Sequence, residues 1–177
     1  KKDKSAIKIG IKKNINHFAL LFADSPESVL QFRELSGQNS TIISKIESRP
    51  GLHNLKGIIE KSNAILIDRG DLSRQVPLEK IPFFQRLIIS TAKNQGTPVY
   101  VATNLLESMI KAHQPTRAEV NDVISTLMDG ANGLVLAAET AIGDFPVQSV
   151  EMIRRLITQL ELWTPNTSIE ELLENNF

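Results

Sequence analysis

Residues 40–71 read STIISKIESRPGLHNLKGIIEKSNAILIDRGD, and the punctuation of this stretch decides the fold. Two runs, STIISKIE (40–47) and NAILIDRGD (63–71), are β-branched and nearly continuous in apolar residues, the pattern of strands buried on both faces. Between them GLHNLKGIIEKS has helical spacing. Strand, helix and strand in about 30 residues make the shortest right-handed crossover unit of a parallel sheet. The alternation continues on both sides. Upstream, HFALLFA (17–23) reads as a strand and PESVLQFRELSG (26–37) as a helix, with Val29, Phe32 and Leu35 at helical spacing and Gly37 as its stop. Downstream come a helix over 77–94, the strand PVYVATN (98–104), a helical region over 118–130, the strand GLVLAAET (133–140) and a helix opened by Pro146 that runs to Leu162. These are about five βα units of an α/β fold with parallel strands.

The bulk properties narrow the function classes. The chain has 177 residues, 41% hydrophobic and 23% charged, with 20 Lys+Arg against 20 Asp+Glu. A formal net charge of +0 provides no global field to recruit nucleic acid or an anionic membrane. The basic end, KKDK with Lys12 and Lys13, reads as a solvated terminus. Without cysteine there is no disulfide or thiolate chemistry, and His17, His53 and His113 share no zinc-ligand spacing. No apolar run approaches the roughly 18 residues of a membrane span and no signal-peptide pattern opens the chain, so a cytoplasmic setting is expected. A first residue of Lys rather than Met is read as a processed product or a piece of a longer protein. The polar segment TPNTSIEELLENNF (164–177) differs in character: Ser168 with Glu171 forms a capping box ahead of Ile169, Leu172 and Leu173. The expected organisation is therefore an α/β region over 1–162 and a polar tail with a short amphipathic helix over 163–177. The NTS at 166–168 is a chance match to a glycosylation acceptor.

Chemistry gathers where the strands end. Lys45 and Glu47 close one strand, Asp71 the next, Thr103 the next and Glu139 the last. In a (β/α)₈ barrel, functional side chains project from the carboxyl ends of several strands into one mouth. Lys45 and Glu47 stand two apart and so share a side of their strand. Lys45 follows the run Thr-Ile-Ile-Ser, a setting that favours a functional lysine over a salt-bridged structural one. Glu47 and Asp71 fit two readings that spacing does not separate: joint ligands of a hard divalent cation, or a surface glutamate and a helix-capping aspartate.

The segments ISKIE (43–47), RGDL (69–72), PLEKIPFFQ (77–85), VATNLLESMIK (101–111), PTRAEVNDV (115–123) and ETAIGDFPVQSVEMI (139–153) together resemble the pyruvate kinase family, in order and nearly in register from about residue 5 to about 160. The resemblance implies the second half of a TIM (β/α)₈-barrel, present as a partial barrel. It further implies a phosphotransferase site in which Lys45 neutralises charge on the transferring phosphoryl group and the pyruvate enolate. Glu47 and Asp71 would hold Mg²⁺ (or Mn²⁺) between enolate and carboxylate oxygens. The N–H groups of Gly70 and Asp71 and the hydroxyl of Thr103 would bind the substrate carboxylate, and Glu139 would serve a proton route to the enolate carbon. Arg117, in a helix that in the family lies near a subunit interface, is read as structural.

Other features of the family pattern are altered. Asp68 stands at the usual alanine of ARGD, Ser73 at a glycine after GDL, Asn104 at a glutamine, and Ala137 and Ala138 at the serine and glycine before Glu139. Leu21 and Asp24 replace a serine and an arginine. No stretch resembles the family's first three barrel strands, its small β domain or its regulatory domain, which would supply the phosphate-binding arginine and the monovalent-cation site. The chain alone is thus expected to lack turnover, and its open sheet edges to be covered by the rest of a barrel or a second copy. Two alternatives stand beside this reading: a degenerate binding or regulatory module, and a lyase or aldolase acting on a 2-oxo acid through its enolate.

Overall fold

A computed structural model describes residues 2–174 of the chain. In chain order the elements are α1 (Lys2–Lys12), β1 (His17–Leu20), α2 (Pro26–Ser36), β2 (Thr41–Ile46), α3 (Arg49–His53), α4 (Leu55–Lys61), β3 (Ala64–Asp68), α5 (Arg69–Leu72), α6 (Ile81–Asn94), β4 (Val99–Ala102), α7 (Arg117–Met128), β5 (Gly133–Val135), α8 (Ala138–Ala141), α9 (Pro146–Leu162) and α10 (Ile169–Glu174). The five strands form one sheet in the order β1-β2-β3-β4-β5, every neighbouring pair parallel. The expected five βα units are present. Among the described residues no helix is long and apolar enough to cross a membrane.

The chain divides into two compact units. The first comprises residues 1–105 and 126–137 and contains the whole sheet. Its core is built from Ile42 and Ile46 of β2, Ile65 and Ile67 of β3, and Val99 and Val101 of β4. These pack with Val29 of α2, Ile58 and Ile59 of α4, and Ile88, Ile89 and Ala92 of α6. Strand alternation sends Ile43, Lys45, Leu66 and Tyr100 to the other face, where they are only half-buried. The outer strands β1 and β5 are more exposed than the inner three.

Local chemistry explains where the elements stop. Ser25 caps α2: it accepts from Ser28 N (3.2 Å), Ser28 Oγ reciprocates at Ser25 N (3.4 Å), and Pro26 occupies the first turn. Gly37, at φ +100°, ends that helix by donating to Arg33 O. The segment 51–62 is two helices rather than one, since Asn54 breaks the run and its Nδ2 donates to Asp24 O (2.7 Å). The strand expected over 63–71 ends at Asp68, because the Asp68 side chain accepts from Asp71 N and so caps the turn Arg69–Leu72. Asp71 is therefore helical and does not close a strand. Likewise β5 stops at Val135, and Glu139 lies on α8.

Helix α4 crosses the start of α2 at Gly57, where an added Cβ would lie 2.5 Å from Pro26 Cγ. Alanine gains about 1 kcal/mol in helix propensity over glycine, but overpacking against a rigid ring costs about 1–3 kcal/mol. Gly57→Ala is therefore expected to lower the urea midpoint by a net loss of about 1 kcal/mol, and a raised midpoint would show that α2 shifts freely.

The second unit comprises residues 106–125 and the chain from Ala138 onward. Glu119 organises one end, accepting from Ser108 N (2.7 Å), Ser108 Oγ (2.5 Å) and Thr116 N (2.7 Å). Burial pushes its carboxyl up, but these hydrogen bonds outweigh that and hold it below the ordinary value. The capping box is formed, with Ser168 N donating to Glu171 Oε2 (2.7 Å) and Glu171 N to Ser168 Oγ (3.1 Å).

Candidate active site

At the carboxyl end of β2, Lys45 Nζ lies 2.9 Å from Glu47 Oε2 and 2.9 Å from Asp68 Oδ2. Register puts these groups together: Lys45 pairs with Leu66 two residues before Asp68, and Asp68 pairs with Ala102 just before Thr103. Lys45 is thus salt-bridged, with 16% of its side chain exposed. Burial lowers its proton affinity, but the contacts with Asp68 and then Glu47 outweigh this and raise its pKa above 10.5. Burial likewise pushes Asp68 up, and the hydrogen bond from Lys45, followed by that from Asp71 N, brings it below 3.8. The site thus holds the Lys45 ammonium between the carboxyl groups of Glu47 and Asp68.

Glu47 is fully buried, which removes its reading as a surface glutamate. Its Oε1 accepts from Phe22 N (2.7 Å), delivered by a Phe22 backbone in the left-handed region at φ 47°. Lys45 meets Oε2 as an ion pair outside hydrogen-bond alignment, so that buried oxygen keeps capacity for a further partner. The helix-capping aspartate is Asp68, not Asp71. Asp71 instead faces Arg74, whose Nη1 lies 3.2 Å from Asp71 Oδ1. Carboxylate oxygens of Glu47, Asp68 and Asp71 all lie within 4.8 Å of one another. Within this cluster Glu47 and Asp71 offer oxygen donors that suit a hard divalent cation completing its shell with water and ligand oxygens, whereas the Asp68 oxygens are engaged by Lys45 and by Asp71 N.

The wall opposite Lys45 is a strained turn. Thr103 and Asn104 have φ 68° and 54°, two consecutive non-glycine residues in the left-handed region, at a cost of about 1–3 kcal/mol each. Arg69 holds them there: its guanidinium donates to Thr103 O (2.9 Å) and to Asn104 O (3.0 Å), and approaches Gln85 Oε1 at 3.5 Å. Gln85 Nε2 is anchored on Thr126 Oγ1 (3.1 Å). The turn sets Thr103 Oγ1 to accept from Gly70 N (2.8 Å), with Asp68 Oδ1 3.3 Å away. At Gly70 a Cβ would meet Thr103 Oγ1 at 3.3 Å and Asp68 Oδ1 at 3.5 Å, so the close approach of loop to strand end needs glycine.

Of the residues expected from sequence, Lys45, Glu47, Gly70, Asp71 and Thr103 meet in this one site of the first unit. Glu139 belongs to the second unit, where it is buried at 2% exposure and its Oε1 accepts from Leu106 N (3.1 Å). Two site residues escaped the sequence reading. Asp68 entered it only as an altered position, although a polar residue ending an apolar strand next to RGD was a visible signal. Arg69 showed none, because its role depends on the backbone of residues 34 and 35 positions away along the chain.

A family profile described as pyruvate kinase, barrel domain, matches residues 1–150. The chain is 40% identical to the pyruvate kinase of Thermotoga maritima over 163 residues, 90% of the chain and 35% of that relative. It is 38% identical to the pyruvate kinase of Dictyostelium discoideum over 174 residues, 97% of the chain and 34% of the relative. To pyruvate kinase 2 of Synechocystis sp. it is 34% identical over 173 residues, 96% of the chain and 29% of the relative. The chain spans about a third of the length of these curated relatives.

Proposed function

The chain belongs to the pyruvate kinase barrel-domain family, and from that premise we propose that it carries the 2-oxo-acid and divalent-cation side of a pyruvate kinase-type phosphotransferase site. The observation that supports this best is Lys45 Nζ at 2.9 Å from Glu47, beside a cluster of carboxylate oxygens within 4.8 Å of one another. A fixed cation and metal-holding oxygens at the ends of adjacent parallel strands are what enolate chemistry requires.

In this reading Lys45 counters the charge that develops on the phosphoryl group and on the enolate oxygen of phosphoenolpyruvate or pyruvate. Its pairing keeps the ammonium protonated and aimed without reorganisation. Glu47 and Asp71 would hold Mg²⁺ or Mn²⁺, which when bound supplies Lewis-acid polarisation of the ligand oxygens. Thr103 and the N–H groups of Gly70 and Asp71 orient the substrate carboxylate, and Arg69 fixes the turn that presents Thr103. Glu139 is assigned proton delivery by its match to the family pattern alone. Partners in this reading are phosphoenolpyruvate or pyruvate, and the remaining strands of a barrel, or a second copy, along β1 and β5.

Mn²⁺ titration followed by paramagnetic relaxation of solvent water tests the core of this reading. Binding should weaken at least about tenfold in Glu47→Ala and in Asp71→Ala, the loss of about 1.4 kcal/mol that one charged ligand readily supplies. Equal affinity in the unsubstituted chain and both variants would remove the assignment.

A further inference from the structure

We propose that Asp68 is an internal occupant of the carboxylate-binding donors, so that a 2-oxo acid or dicarboxylate enters this site only by displacing the chain's own carboxylate. The inference rests on the reading of Thr103, Asp71 N–H and Lys45 as groups that meet an anionic ligand. Asp68 engages that set: Oδ2 lies 2.9 Å from Lys45 Nζ, and Oδ1 lies 3.3 Å from both Asp71 N and Thr103 Oγ1. Groups from β2, from α5 and from the turn after β4 converge on one side chain that is 11% exposed, although the Thr103 hydroxyl also has Ala102 O nearer at 2.6 Å. Three separate segments meeting one carboxylate describe an anion site with its anion already in it.

Two details identify this occupant as displaceable rather than a mere cap. Both contacts of Oδ1 are at the long limit for hydrogen bonds, so a ligand that approaches from outside the strand can shorten them. Charge also opposes an incoming anion, because Lys45 already holds two carboxylates, with a third, Asp71, in the same cluster. Removing the Asp68 charge frees Lys45 to hold one carboxylate instead of two and leaves the donors in place.

Asparagine separates the two roles, since it caps a helix start as well as aspartate does but carries no charge. The full 177-residue chain, its Asp68→Asn form and its Asp68→Ala form are titrated with Mn²⁺ alone and then with oxalate at saturating Mn²⁺, by calorimetry. Oxalate affinity should rise at least about tenfold in both variants, with Mn²⁺ affinity changed by less than about threefold. Oxalate binding that is unchanged, or weaker, in both variants overturns the proposal while leaving the metal reading intact. A fall of about tenfold or more in Mn²⁺ affinity in both variants also overturns it, by making Asp68 a metal ligand. An unsubstituted chain that binds no Mn²⁺ overturns the metal reading and this one together.

Discussion

Lys45→Met should destabilise the fold by about 3 kcal/mol at pH 7, the largest stability effect expected of any single substitution in the site. Methionine nearly matches the lysine stem in volume, so little of the loss comes from packing. It comes from Glu47, fully buried, and Asp68, 8% exposed, which are left as like charges without their shared cation. Ordinary surface ion pairs contribute under about 1 kcal/mol because water screens them, and that argument fails for a pair this enclosed.

The pH dependence gives the sign. In the unsubstituted chain Asp68 has its pKa held below 3.8, so its stabilising contribution is full above that value and is lost as pH falls through the lowered one. Lys45, raised above 10.5, contributes fully below 10.5 and loses that contribution as pH rises through its raised value. In Lys45→Met the Asp68 carboxylate keeps its burial but loses the Lys45 contacts that held its proton affinity down, so acid relieves the variant while it strips the parent. Urea denaturation at pH 7 and pH 3 should show the gap between the two narrowing. A gap that stays constant would mean that lost packing, not charge, explains the effect.

The sequence made the layering and the site's main residues legible for one reason. Buried parallel strands are apolar throughout, so a polar residue at a strand end stands out, and Lys45, Glu47 and Thr103 were found that way. Strand boundaries were less legible. Asp71 was placed on β3 because nothing in AILIDRGD says that the Asp68 side chain turns back to cap Arg69–Leu72. The same local bond hid the wider contacts of Asp68, since a cap is satisfied within four residues whereas Lys45 and Thr103 reach it across the sheet. Arg69 was hidden more deeply, because the strain it restrains at Thr103 and Asn104 exists only in the folded backbone. Pairing between strands far apart in sequence carries no local signature, and those are the residues that pattern reading missed.

A chimera in which this chain replaces the matching third of a full-length relative should produce pyruvate from phosphoenolpyruvate and ADP, and Lys45→Met in it should cut kcat by about 10³. Identity of 40% over 163 residues defines the strands and helices to exchange. The size of the loss follows from where Lys45 acts. In the proposed role its ammonium would face charge that is weak in the ground state and full on the enolate, so its removal would be felt in the transition state and fall on kcat. Asp68→Asn in the same chimera should act on the other constant. If Asp68 competes with the substrate carboxylate before any charge moves, as proposed, removing that competition strengthens ground and transition states alike. KM for phosphoenolpyruvate should therefore fall about tenfold with kcat little changed, the converse of the lysine variant. Steady-state kinetics of the parent chimera and the two variants separates these effects. A Lys45→Met form that keeps its kcat would remove the lysine from the chemistry, and an Asp68→Asn form that loses kcat would make Asp68 part of the reaction instead of a guard at its entrance.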